Sequence, residues 1–326
     1  MRPLVTKGSG RPLSGLRIGV FGKGGSGKST VTCFLAMALQ ETGYTVLVLD
    51  ADSTNVGLAS ALAVNRKPDP LLEYFGGMVF SGGSVTCPVD DPTVLEGARL
   101  SLSDLPPRFR GMSSAGILLL VAGKLGALGP GAGCDGPVAK IARDLRVEDR
   151  GPDPVTLVDY KAGFEDAARG ALTSVDWALV VVDPTCAAVQ MAVHLALMVA
   201  DIRRGVPPAT RHLQRADLAA LAVRLFREAR VRGAASVLNR VPSPETEGYL
   251  RVALRGSGAP VLAVFGQDAG VADQWLRGGR LRSAGLRKAA GALARQLEAR
   301  VGEAAREALA RSTGRAARAP AMEGSP

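Results

Sequence analysis

Aromatic residues are scarce, at 4% of a 326-residue chain, and the positive charges are not interleaved with them. Basic residues mixed with aromatics are the usual sign of a single-stranded nucleic-acid surface, so the net charge of +10 lacks that companion here. Long apolar runs are missing too. Those around Ile117 to Ala122 and Ala178 to Val182 are strand-sized, well short of a membrane span. Residues 1–16 have no apolar centre of the kind a signal peptide needs. The four cysteines, Cys33, Cys87, Cys134 and Cys186, lie far apart and form no C-x-x-C pair, so a reduced, cytoplasmic protein is expected. His194 has no second ligand at helical spacing and His212 sits in a polar stretch, so neither predicts a metal. What remains, 47% hydrophobic and 21% charged, is the composition of a globular chain long enough for one large α/β domain.

The richest stretch is Gly22-Lys23-Gly24-Gly25-Ser26-Gly27-Lys28-Ser29, which fits the phosphate-binding pattern G-x-x-x-x-G-K-[ST]. Its surroundings fit as well. Residues 17–21 read as a buried strand leading in, and Ser29 to Gln40 as a helix leading out. Glycines let consecutive N–H groups turn inward onto phosphate oxygens, and the helix adds the positive end of its dipole. Gly24, Gly25, Ser26, Gly27, Lys28, Ser29 and Thr30 are therefore the expected nucleotide contacts, with Lys28 on the β- and γ-phosphates and the Ser29 hydroxyl on Mg²⁺.

Two further apolar runs close in acid. Thr45 to Leu49 leads into Asp50-Ala51-Asp52, and Pro154 to Val158 leads into Asp159. Strand, helix, strand after a phosphate loop predicts a doubly wound, mostly parallel sheet between helical layers, with ligands at the strands' carboxyl ends. Asp159 stands in the Walker-B position, where a carboxylate holds Mg²⁺. An Asp at a strand end is also a common turn former or helix cap, and that reading stays open for Asp50 and Asp52.

The loop K-G-G-x-G-K-S resembles the deviant phosphate loop of the dimeric ATPases that include partition proteins, septum-site ATPases and nitrogenase iron protein. The resemblance implies ATP, Mg²⁺ and an ATP-dependent homodimer in which Lys23 reaches the partner's nucleotide. It implies that Asp52 orients the attacking water while Asp50 supports Mg²⁺, and that Asn239, in the segment Asn239-Arg240-Val241, reads the adenine edge.

The stretch 159–170 resembles, at Asp159, Ala162, Gly163, Glu165, Arg169 and Gly170, the second switch of carbon monoxide dehydrogenase accessory ATPases (the CooC type). Lys161 stands where that pattern has Glu. The Gly-rich segment 123–136 resembles their metal loop, which carries C-x-C. Here Cys134 fills the first position and Gly136 the second, with Asp135 between them as a candidate oxygen ligand. The resemblance implies nickel or zinc on Cys134 and a client metalloenzyme. The alternatives are a partition or positioning ATPase whose ATP-bound dimer binds DNA or membrane, and a regulatory nucleotide switch.

Residues 1–16 are expected to be a flexible arm, 17–300 the ATPase domain, and 301–326 a helix end with a disordered tail. Residues 66–112 read as an insertion of helix and loop, facing a partner or merely tolerated, with Pro106-Pro107 excluding regular structure locally. On the helix predicted over 187–202 the apolar stripe is Val189, Ala192, Val193, Ala196, Leu197 and Ala200, and Cys186 before it is expected to pack. The arginines of 203–232 read as a solvated helix face or as a surface for DNA or an acidic partner. Leu286, Ala290, Leu293, Leu297 and Val301 predict an amphipathic helix that packs on the sheet rather than on a membrane.

Overall fold

The computed structural model describes residues 11–77, 85–123, 135–148 and 153–316. Its strands are β1 (Arg17–Gly22), β2 (Val46–Ala51), β3 (Arg99–Leu100), β4 (Gly111–Met112), β5 (Leu118–Val121), β6 (Arg146–Val147), β7 (Val155–Tyr160), β8 (Trp177–Val182), β9 (Gly233–Val241) and β10 (Val261–Gly266). Its helices are α1 (Lys28–Glu41), α2 (Leu58–Ala61), α3 (Leu71–Tyr74), α4 (Gly136–Asp144), α5 (Glu165–Ala168), α6 (Cys186–Arg204), α7 (Ala216–Arg227), α8 (Pro244–Ala253), α9 (Ala269–Leu276) and α10 (Ala284–Ala316). One sheet runs in the order β10-β9-β8-β1-β7-β2-β5-β4, parallel except where β4 meets β5, and β3 pairs with β6 apart from it.

The central strands are buried on both faces, which is why they read as continuous apolar runs. Their side chains alternate between two cores. Leu47 and Leu49 of β2 enter one, with Val138 and Ile141 of α4 and Met191 and Leu195 of α6. Val46 and Val48 enter the other, with Phe34 and Leu35 of α1 and Leu293 and Leu297 of α10. The result is the three-layer, mostly parallel α/β fold expected from the motif spacing, with α10 packed on α1 and β10.

Several local expectations change. Leu13 and Leu16, placed in the arm, are buried among the α1 and β1 side chains. The inner face of α6 carries the expected Ala192 and Ala196, but with them Ala188, Met191, Leu195 and Val199, whereas Leu197 is 51% exposed. This helix is apolar almost all round, long and apolar enough to cross a bilayer by those two criteria, so its pattern chooses no face. Cys186, at its start, is exposed. The insertion contributes Leu71, Phe75, Leu95, Leu100 and Phe109 to the core beside α4. A 3₁₀ turn, Pro107–Phe109, follows Pro106. No residue of α7 is fully buried, and Arg215 at its start pairs with Asp217.

Candidate functional site

The phosphate loop joins β1 to α1, and two of its glycines are required by contact. Gly27 is left-handed (φ 89°), and a Cβ there would lie 2.1 Å from the Asn239 amide nitrogen. Gly22 has φ 154°, and a Cβ there would lie 2.7 Å from the Val181 carbonyl. The Lys28 ammonium is buried and donates to the Lys23 carbonyl at 3.5 Å. Ser26 Oγ is buried with no hydrogen-bond partner, an orphaned polar atom in a loop whose pattern calls for phosphate. A buried ammonium and an orphaned hydroxyl are what a phosphate-binding cradle supplies, so the residues fit a nucleotide.

The acidic side of the site is set by strand register. β2 and β7 are parallel neighbours with Asp50 opposite Asp159. Ser29 Oγ donates to Asp159 Oδ2 at 2.6 Å, and Thr32 Oγ1 to Asp159 Oδ1 at 3.4 Å. Asn55 Nδ2 donates to Ser29 Oγ at 2.7 Å. Behind them, burial pushes the Cys33 thiol well up, with Asp159 and Asp50 adding to it, so that cysteine is an inert neighbour. Adjacent carboxylates beside a hydroxyl form an oxygen-rich set suited to Mg²⁺.

Asp52 takes the turn-forming arrangement. Its Oδ1 accepts from Thr54 N at 2.9 Å, Thr54 Oγ1 at 2.6 Å and Asn55 N at 3.3 Å, while its own N–H donates to Asp50 Oδ1 at 3.2 Å. Lys23 Nζ lies 3.9 Å from Asp183 Oδ2, with its side chain 40% exposed. Asn239 donates from Nδ2 to the Ser26 carbonyl at 2.7 Å, so its amide braces the phosphate loop. Arg240, the next residue of that segment, does the same from outside. Its φ is 57°, and Nη1 donates to the Gly25 carbonyl at 2.7 Å. A left-handed arginine is costly, and here the backbone places the guanidinium on the loop. Asp268, after β10, caps α9 through Val271 N at 3.0 Å.

The second switch touches the loop by backbone, Gly163 N–H donating to the Gly22 carbonyl at 3.2 Å. The charge reversal at Lys161 now has a partner. Lys161 and Arg169 both pair with Asp135, the latter at 2.9 Å. Burial pushes the Asp135 carboxyl up, but hydrogen bonds and charge from Lys161 and Arg169 outweigh it and hold the group below its usual range. A carboxylate so engaged is a poor metal ligand, which removes Asp135 as the candidate oxygen donor. Asp166 goes the other way. Burial first, then Asp135, raise it to about 7.

Cys134 lies outside the described residues. At Gly136, a Cβ would sit 2.5 Å from Cys87 Sγ, so the side chain of Cys87 fills the space that a cysteine at 136 would need. Among the described residues no group of three or more His, Cys, Asp or Glu could hold a metal ion.

The sequence matches the CobQ/CobB/MinD/ParA nucleotide binding domain over residues 20–281. It is 30% identical over 182 residues to an uncharacterized ATP-binding protein of Methanocaldococcus jannaschii, covering 54% of this chain and 70% of that one. It is also 30% identical over 189 residues to the carbon monoxide dehydrogenase accessory protein CooC of Rhodospirillum rubrum, covering 57% and 70%. The septum site-determining protein MinD with Mg-ADP from Pyrococcus horikoshii superposes at a TM-score of 0.57 and 18% identity, over 89% of this chain and 98% of that one, a likeness of fold.

Proposed function

The chain belongs to the CobQ/CobB/MinD/ParA nucleotide-binding domain family, and from that premise we propose that it is a cytoplasmic ATPase that binds Mg-ATP, dimerises on it and hydrolyses it slowly. The observation that carries the reading is the union of Ser29, Asp159 and Asp50 beside the buried Lys28. Lys28 and the loop N–H groups would bind the phosphates, and Ser29, Asp50 and Asp159 would hold Mg²⁺. Bound there, Mg²⁺ would neutralise charge on the phosphates. Asp52 would orient the attacking water once its turn opens, and Lys23 would leave Asp183 for the partner's nucleotide. Asn239 would meet the adenine edge beside the loop it braces.

The role we propose is maturation of a metalloenzyme, by metal insertion or cofactor loading. The relative named as a carbon monoxide dehydrogenase accessory protein supports it, as does the likeness of residues 159–170 to the second switch of those ATPases. Nickel or zinc would be cargo, carried on thiolates that include Cys134.

The test is ATP binding and turnover by wild type, Lys28→Ala and Asp159→Asn, with metal content of wild type and Cys134→Ser. Loss of hydrolysis by about 10²-fold in both site variants is expected. About half an equivalent of nickel or zinc per chain, lost with Cys134, supports the maturation role. Metal-free protein that instead retains DNA in an ATP-dependent, salt-sensitive way would replace it with a positioning ATPase.

A further inference from the structure

The start of α1 and the segment 52–59 after β2, the first switch of the resembled ATPases, are tied by residues far away in sequence. Trp275, near the end of α9, donates from its indole N–H to Thr30 Oγ1 at 2.9 Å. The same ring lies against Gly57, where a Cβ would come within 2.6 Å of it. Gly57 has φ −94° and ψ −13°, a conformation any residue adopts, so it is the indole that excludes a side chain there. The strap after α9 repeats the attachment. Leu281, fully buried, donates its N–H to the Ala61 carbonyl of α2 at 3.0 Å. The far end of the first switch is thus clamped to the C-terminal third of the chain.

The near end is attached differently. Asn55 donates to Ser29 Oγ at 2.7 Å, and its own Oδ1 accepts from Gly57 N at 3.0 Å. Ser29 and Thr30 are adjacent in the first turn of α1. One is held by Asn55 and the other by Trp275. The two ties differ in what Mg²⁺ does to them. A hydroxyl oxygen has two lone pairs. Asn55 uses one on Ser29, and a cation taking the other would face the positive end of the Asn55 N–H and repel it. The Thr30 tie involves no group assigned to the cation.

From this we propose that Trp275 is a positioning residue of the nucleotide site. It holds Thr30 and Gly57 together as a fixed point, about which residues 52–55 rearrange when Mg-ATP displaces Asn55 from Ser29. Asp52 rides on that segment, so the setting of its carboxylate depends on a pivot that stays put. The inference rests on the ATPase reading above and adds to it a residue that acts through Thr30 and Gly57, without touching the nucleotide.

The experiment uses the full chain and begins with ATP binding by wild type. Protein that binds no ATP overturns the ATPase reading, and this proposal with it. Given binding, Trp275→Phe keeps the ring on Gly57 and loses the N–H, while Trp275→Ala loses both. Turnover is expected to fall about 3-fold in the first and about 10-fold in the second, with ATP affinity within about 3-fold of wild type. Gly57→Ala should lower turnover similarly in wild type and cost little more in the Trp275→Ala background, because the clash is gone.

Trp275 also becomes a reporter. The chain has two tryptophans, and Trp177 lies in β8, away from the loop. In the Trp177→Phe protein the emission of Trp275 should shift when Mg-ATP is added, because Asn55, whose Oδ1 lies beside Gly57 next to the ring, moves while the ring stays. Wild-type turnover in Trp275→Phe and Trp275→Ala, with Trp275 emission unmoved by Mg-ATP, would show a packing residue only and overturn the proposal. Should Trp275→Ala fail to fold, Trp275→Phe and the emission of Trp177→Phe still decide it.

Discussion

Lys161 and Asp135 form the contact that makes sense of a charge standing the wrong way round. The Lys161 side chain is about a third exposed and that of Asp135 nearly buried. Lys161→Glu, which restores the residue seen in the accessory-ATPase pattern, would set two carboxylates against each other beside Asp166. A loss of about 1–3 kcal/mol in urea unfolding is expected, with Lys161→Met costing less because it only removes the partner. Equal losses in the two would show that the lost cation, and not the added carboxylate, accounts for the effect. The pH dependence separates the two aspartates. Asp166, raised from 3.8 to about 7, keeps in the folded state a proton that the unfolded chain has released. Its contribution therefore falls as pH rises from about 4 to about 7 and stays low above that. Asp135, held below its usual range, contributes stability above about pH 4 that is lost as pH falls through its folded value. Asp166→Asn is thus expected to exceed wild type by on the order of 1–2 kcal/mol at pH 8 and to match it near pH 4. An equal gain at both pH values would assign it to packing instead.

Among the elements, the strands could be read from sequence because burial on both faces leaves one apolar run each, and two of those runs close in Asp50 and Asp159. Their being neighbours could not be read, since nothing local says that β7 lies between β1 and β2. Helix α10 declared its inner face, with Leu286, Ala290, Leu293, Leu297 and Val301 all buried. Helix α6 did not, because apolar residues surround it and an error of one position turns the face by about 100°. The grips of Arg240 on the phosphate loop and of Trp275 on the first turn of α1 are not legible for another reason. Each joins residues more than two hundred positions apart, so the segment Asn239-Arg240-Val241 does not say where its arginine lands, and nothing near Trp275 marks it. The face of α6 can be checked directly. Leu195→Ala is expected to cost about 2–5 kcal/mol, against about 0.5 or less for Leu197→Ala, by denaturant titration. A comparable loss at Leu197 would mean that its side of the helix is covered.

For the whole molecule, the decisive quantity is the number of chains at one nucleotide. Lys23 sits at the mouth of the site, its exposed ammonium 3.9 Å from the largely buried Asp183, and an ion pair over such a distance contributes little. It can leave at small cost. The turn that follows Asp183 lines, with α8, an open groove of about 360 Å³ that includes Pro184, Thr185, Cys186 and Tyr249. Tyr249 is 73% exposed and Val252 60% exposed, two apolar side chains on one helix beside the mouth. A face of this kind is stable in water yet gains from being covered. Mg-ATP is therefore expected to convert a monomer into a dimer in sedimentation. Lys23→Ala should remain monomeric while binding ATP within a few-fold of wild type, since Lys28 and the loop are untouched. Tyr249→Ser should weaken dimerisation by about 10-fold or more through lost apolar contact. If Lys23→Ala dimerises as wild type does, Lys23 is not what joins the two chains, and its reach to the partner's nucleotide is overturned.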